Sequence, residues 1–260
     1  MEIDGLDISI LAPALLAGLL VLSTHVPLGQ RVLARGIIFL DLAIAQIAGL
    51  GIIAAHSFEF DAEGWQIQLI AISSALAGAL LLYTAERLWP QVLEAIIGTV
   101  FILAASGGIL LLANNPHAGE HLKNILTGQI LWVSYDQLIP VAVLYSVILG
   151  IWFGLKKQCH PLVFYIIFAF SVTASVQLVG VYLVFASLII PALAVRLAKK
   201  HNLMIAYFMG AMAYVIGLTL SAVLDLPSGA VVTWTLATFG ILVATILSVI
   251  QTKNTLTRRQ

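Results

Sequence analysis

An all-α, polytopic membrane protein of about nine transmembrane helices is the fold class the sequence predicts. Three observations predict it. The 260 residues are 61% hydrophobic and only 9% charged, with a mean hydropathy of +1.07, which leaves too little polar surface to cover a water-soluble globule. Nearly every charge sits in a gap between apolar runs. Successive gaps alternate in sign: Glu2, Asp4 and Asp7, then Arg31 and Arg35, then Glu59, Asp61 and Glu63, then Arg87. Further on, Asp136 is answered by Lys156 and Lys157, and Arg196, Lys199 and Lys200 by Asp225, before Lys253, Arg258 and Arg259.

A helix needs roughly 20 apolar residues to cross hydrocarbon, a length most of the apolar runs reach, and short alternating segments of the barrel type are absent. The runs are Ile8 to Leu28, Gly36 to His56, Trp65 to Ala85, Gln91 to Ala113 and Gln137 to Leu155. They continue as Leu162 to Gln177, Val179 to Leu197, Leu203 to Leu224 and Ala230 to Ile250. Between the sixth and seventh, Ser175, Val176 and Gln177 mark the turn. With the basic gaps inside, every Lys and Arg except Lys123 is cytoplasmic, as the positive-inside rule expects, and the N-terminus is outside. An acidic start argues against a cleaved signal peptide. The linkers are short, so residues 1 to 260 read as a single transmembrane domain.

Composition also excludes function classes. The one cysteine, Cys159, can form neither an intrachain disulfide nor a cysteine zinc cluster. Basic residues are spread over one membrane face, which argues against nucleic-acid binding. No phosphate-binding loop of the G-x-x-x-x-G-K-[ST] type and no G-x-S-x-G elbow is present, so ATP hydrolysis, if the protein uses it, belongs to another chain. His117, Glu120 and His121 fit H-x-x-E-H, a pattern in which two histidines hold zinc and the glutamate acts as base. Pro116 and Gly119 make poor helix there, so a solvated external loop, a loop that holds metal and a remote metalloprotease are the three readings.

Polar residues inside spans mark where function is to be sought. Asp41 lies in the second span, where a carboxylate must face a partner or water; an ion pair with Arg31 or Arg35 and a place on a substrate path are the alternatives. Gln46, His25 and His56 are polar within apolar stretches. Glu94 follows Trp89-Pro90, where an acid complements a helix start. Gly98, Gly107 and Gly108 permit close packing or a break in the fourth span. Ser23, Pro27, Ala34 and Arg35 align at constant offset with Ser187, Pro191, Ala198 and Lys199, a weak internal repeat of the kind transporters carry.

The run VQLVGVYLVFASLIIPALAVRLA from Val176 to Ala198 and GLTLSAVLDLPSGAVV from Gly217 to Val232 resemble the C-terminal half of ABC-transporter permeases that import zinc, manganese or iron. EAIIGTVFILAAS from Glu94, EHLKNILTGQILWVS from Glu120 and RVLARGIIFLDLAIAQIAGLG from Arg31 resemble segments of the same family in the same order. The resemblance implies a fold similar to the cobalamin and siderophore permeases and a homodimer in a bacterial inner membrane. It further implies an extracytoplasmic metal-binding protein and cytoplasmic ATPase subunits that drive alternating access, with no enzyme activity or resident cofactor in this chain. Zinc is the first expectation for the cargo, manganese or iron the next, and a gradient-driven carrier without an ATPase the alternative. Asp41, Gln46 and Glu94 are the expected pathway residues, and Lys156, Lys157, His160, Arg196, Lys199 and Lys200 the expected ATPase contacts. Two departures stand out. Where the family often places His four residues after the Asp, this chain has Ala45, which removes a soft ligand. The loop ahead of Pro161 is also short for a coupling helix.

Overall fold

The structure, a computed structural model, describes residues 8–57, 65–112, 130–154, 160–198 and 200–257. Among them are nine α-helices and no strand. They are α1 (Ile8–Arg35), α2 (Leu40–Ser57), α3 (Trp65–Leu88), α4 (Leu93–Leu112), α5 (Tyr135–Gly154), α6 (Pro161–Val179), α7 (Val181–Ala194), α8 (Asn202–Leu224) and α9 (Ser228–Thr257). Single 3₁₀ turns at Pro90–Val92 and Ile130–Trp132 lead into α4 and α5. Seven of the nine are long and apolar enough to cross a membrane, while α2 and α7 are shorter apolar helices. Large apolar side chains such as Leu110, Phe208 and Trp234 stand exposed on α4, α8 and α9, as only a lipid-facing or subunit-facing surface tolerates.

The residues group into two compact units. One unit holds α1 as far as Ala34, the start of α5, and α7 to α9. Here α1 and α8 run antiparallel in close register. A side chain at Gly18 would strike the Tyr214 ring, and one at Gly210 would strike Leu22. Proline shapes this unit. Pro27 and Pro191 lie inside α1 and α7 and, lacking an N–H, leave the carbonyls of Ser23 and Ser187 without their intrahelical donors. The Tyr207 hydroxyl of α8 donates to the Ser23 carbonyl at 2.8 Å, and the Tyr214 hydroxyl lies 2.8 Å from Ser187 Oγ. Thus α1 continues through Pro27 to Arg35, seven residues past the end expected from sequence. A neighbouring helix has re-satisfied the group the proline freed.

The second unit holds Arg35, α2 to α4, the rest of α5, and α6. α2 packs on α3, α4 and α6, and α3 on α6. Gly78 and Gly51 fix the antiparallel α2–α3 contact against Ile47 and Ser74, while Gly107 and Gly108 admit Leu50 and Ile53 of the parallel α2. Gly107 and Gly108 therefore serve packing, since the helix runs unbroken, whereas Gly98 has no close neighbour. α6 is buried along most of its length. Tyr145 of α5 donates its hydroxyl to the Ser171 carbonyl at 3.1 Å and pairs with Ser175 Oγ.

Ser175 thus ties α5 to α6, and the break between the sixth and seventh helices comes later than the sequence suggested, at Gly180. That residue adopts φ +81 and ψ 163, a region only glycine enters freely. We expect Gly180→Ala to lower stability by ~1–3 kcal/mol, read as a lower midpoint of heat-induced unfolding in detergent.

Candidate functional site

The polar groups of the second unit gather at the ends of its helices. Arg35 closes α1, and Gly36 at φ +71 turns the chain so that α2 begins at Leu40. Asp41 therefore sits in the first turn of α2 rather than the one and a half turns inside a span that the sequence suggested. It is 1% exposed. The N–H groups of Leu42 and of Asp41 itself act on the carboxyl, but among the described residues neither buried oxygen makes a hydrogen bond within normal geometry. Acidity at a helix start is favourable, but by less than the at least ~2.5 kcal/mol that burying a charge in hydrocarbon costs.

The ion pair considered for Asp41 is not made by Arg35. That guanidinium approaches Glu86 of α3 at 3.8 Å and lies 4.6 Å above the Phe164 ring. Glu86 went unnoticed in the sequence. Its signal was an acid inside an otherwise basic gap, where only an internal cation accounts for it. Beside it Tyr165 is buried, and Tyr83, 5.9 Å from Tyr165, carries the Arg87 guanidinium 5.2 Å above its ring.

The three residues expected along one path do not share a face. Asp41 and Gln46 are five residues apart and point about 140° apart around α2. Gln46, half-buried, lies one turn before Leu50, which faces α4. Asp41 points to the opposite side. Glu94 opens α4, half-buried, with Oε2 unpartnered. His25 of α1 is fully buried; its Nδ1 lies 2.9 Å from the Val21 carbonyl and so carries the proton, while Nε2 has no partner. His56 falls in the last turn of α2, and its side chain lies outside what the structure describes. His117, Glu120 and His121 lie outside the described residues. Among the described residues no three His, Cys, Asp or Glu side chains cluster as a metal site.

Of the expected ATPase contacts, Lys156, Lys157 and Lys199 also lie outside the described residues. His160 is exposed and caps α6, its Nδ1 accepting from Leu162 N–H at 3.2 Å. Arg196 and Lys200 stand exposed on the turn between α7 and α8. That turn is held by Ala198 N–H to the Val195 carbonyl at 2.8 Å and by His201 in the left-handed conformation. Beside it a groove of about 330 Å³ is lined by Gln30, Leu33, Ala192, Val195 and Arg196, among others.

Long apolar helices with large apolar side chains exposed on their outer faces define a membrane protein. Comparison with known proteins narrows this further. Residues 7–164 and 152–248 match the ABC 3 transport family, and the chain belongs to that family. It is a multi-pass membrane component of an ABC-type transporter, without catalytic activity of its own. It is 29% identical over 177 residues, 60% of its length, to a probable iron transport system membrane protein of Haemophilus influenzae, and that match spans 62% of the relative. It is 23% identical over 229 residues to a probable metal transport system membrane protein of Chlamydia trachomatis, covering 79% of this chain and 78% of that one. PsaBC from Streptococcus pneumoniae, solved in complex with a Fab, contains a chain of the same fold, with a TM-score of 0.70 and 21% identity over 90% of this chain and 89% of that one.

Proposed function

We propose that the protein is the membrane subunit of an importer for a divalent transition metal, working as a homodimer in a bacterial inner membrane with its N-terminus outside. A binding protein delivers the ion from outside and cytoplasmic ATPase subunits power the cycle. The observation that carries the reading is Asp41: a buried carboxylate with no protein partner, in the membrane component of an ABC transporter, suits a passing cation. Gln46 and Glu94, on other faces, are secondary pathway candidates. The turn that bears Arg196 and Lys200 is the better-supported ATPase contact, because both side chains are exposed on it. Lys156, Lys157, His160 and Lys199 are candidates beside it, and His117, Glu120 and His121 are candidates for holding metal on the outer side.

Zinc remains a candidate cargo, but the relatives are named for iron and for metal in general, so zinc, manganese and iron need to be tested together. The test is uptake of radiolabelled zinc, manganese and iron into proteoliposomes bearing the complex. ATP-dependent uptake of at least one ion, absent without the ATPase subunits, is expected. Gradient-driven uptake by this chain alone would overturn the reading.

A further inference from the structure

We propose that Tyr207 and Tyr214 are positioning residues for transport, two hydroxyl latches through which α8 couples the bending of α1 to that of α7. The proposal rests on the transport reading above. Both target helices carry the same device, a serine four residues ahead of an internal proline: Ser23 and Pro27 in α1, Ser187 and Pro191 in α7. Proline weakens a helix at this point by removing one hydrogen bond and by steric conflict with the carbonyl four residues back, so each site is a place where the helix can bend.

The latches stand on one face of a single helix. Tyr207 and Tyr214 are seven residues apart, two turns of α8, and Gly210 between them lets Leu22 of α1 come close. Tyr207 grips the freed Ser23 carbonyl and Tyr214 the Ser187 hydroxyl. Ser187 and Tyr214 are both fully buried. Water therefore cannot substitute for either partner without opening the packing.

What lies beyond each hinge gives the arrangement its use. Past Pro191, α7 runs directly into the turn bearing Arg196 and Lys200. Past Pro27, α1 runs to Arg35 and the Gly36 turn that starts the helix of Asp41. A bend at Pro191, imposed from that turn, must move or break the Ser187–Tyr214 contact. Because α8 is one continuous helix, the displacement reaches Tyr207 and the α1 hinge. The aligned Ser-x-x-x-Pro segments are then explained as two halves of one coupling device.

The experiment measures metal uptake and ATP hydrolysis together, in proteoliposomes containing the full complex, for Tyr207→Phe, Tyr214→Phe and the double variant. Loss of the buried Tyr214 contact or of the part-buried Tyr207 one should lower the metal moved per ATP hydrolysed about fivefold to tenfold in each single variant. The double variant should be no worse than either single variant, because the two contacts act in series. A ratio equal to that of the unaltered chain would overturn the proposal.

Pro27→Ala in the Tyr207→Phe background separates positioning from simple satisfaction of a polar group. An alanine at that position has the N–H that proline lacks, and so restores an intrahelical donor to the Ser23 carbonyl. Recovery of thermal stability with the ratio still low supports a hinge that must be both weak and latched, whereas recovery of the ratio overturns it. Absence of uptake by the unaltered complex would instead refute the transport reading itself.

Discussion

Asp41→Asn is expected to leave a folded, membrane-inserted protein that has lost at least about tenfold in metal uptake at sub-saturating metal, each decade being ~1.4 kcal/mol. The substitution is nearly isosteric. Since neither carboxyl oxygen makes a hydrogen bond among the described residues, exchanging this unpartnered buried group for an amide costs the fold no interaction and should leave stability about equal. An incoming divalent ion, by contrast, loses the only negative charge that this helix offers it, and an amide oxygen is a weak substitute. Paired measurements decide the matter: an unfolding midpoint in detergent, and initial uptake rates across a range of metal concentrations. Unchanged uptake removes Asp41 from the pathway. Lower uptake accompanied by an equally lowered midpoint shows that the carboxylate is structural.

The layout of helices was legible because hydrocarbon is an unforgiving solvent. Every charge had to lie in a gap or be neutralised, so the gaps could be read directly, and each of the nine expected spans corresponds to one described helix, seven of them long and apolar enough to cross a membrane. The ends were less legible for reasons that depend on tertiary contacts. Pro27 looks like a terminator until Tyr207, some 180 residues away in sequence, supplies the missing donor. Gly180 gives no local sign that it adopts the dihedrals that end α6, and Ser175 looked like a turn residue because its partner Tyr145 lies on another helix.

The site was legible in part. Asp41 was visible as an acid in an apolar run, yet the nearby Arg35 proved to be held by Glu86 and Phe164, a choice set by how α3 and α6 pack. That Asp41 and Gln46 face different ways follows from their five-residue spacing on one helix and was legible in the sequence, whereas the place of Glu94, on α4, depends on how that helix packs. The repeat of Ser23 and Pro27 with Ser187 and Pro191 was weak as a string. In the structure both serines meet tyrosines of the same helix.

Gly29→Ala should be the most damaging small substitution in the first unit. A Cβ placed there falls 1.9 Å from the Leu188 carbonyl oxygen. That oxygen belongs to a backbone, so no rotamer change relieves the clash, and α1 must separate from α7 just beyond the Pro27 hinge. Overpacking commonly costs ~1–3 kcal/mol when side chains can yield; here the expectation is the upper end of that range or beyond. Separation would also undo the seam that buries His25 and Leu28. Gly98→Ala supplies the control, since nothing lies within 4 Å of its Cβ. In a helix interior the change from glycine to alanine is favourable by roughly 0.5–1 kcal/mol. Fluorescence-detected gel filtration after graded heating should therefore show Gly29→Ala aggregating well below the unaltered protein and Gly98→Ala at or above it. Equal midpoints for the two variants would show that α1 and α7 do not pack through Gly29, and the paired hinges would lose the rigid seam against which they bend.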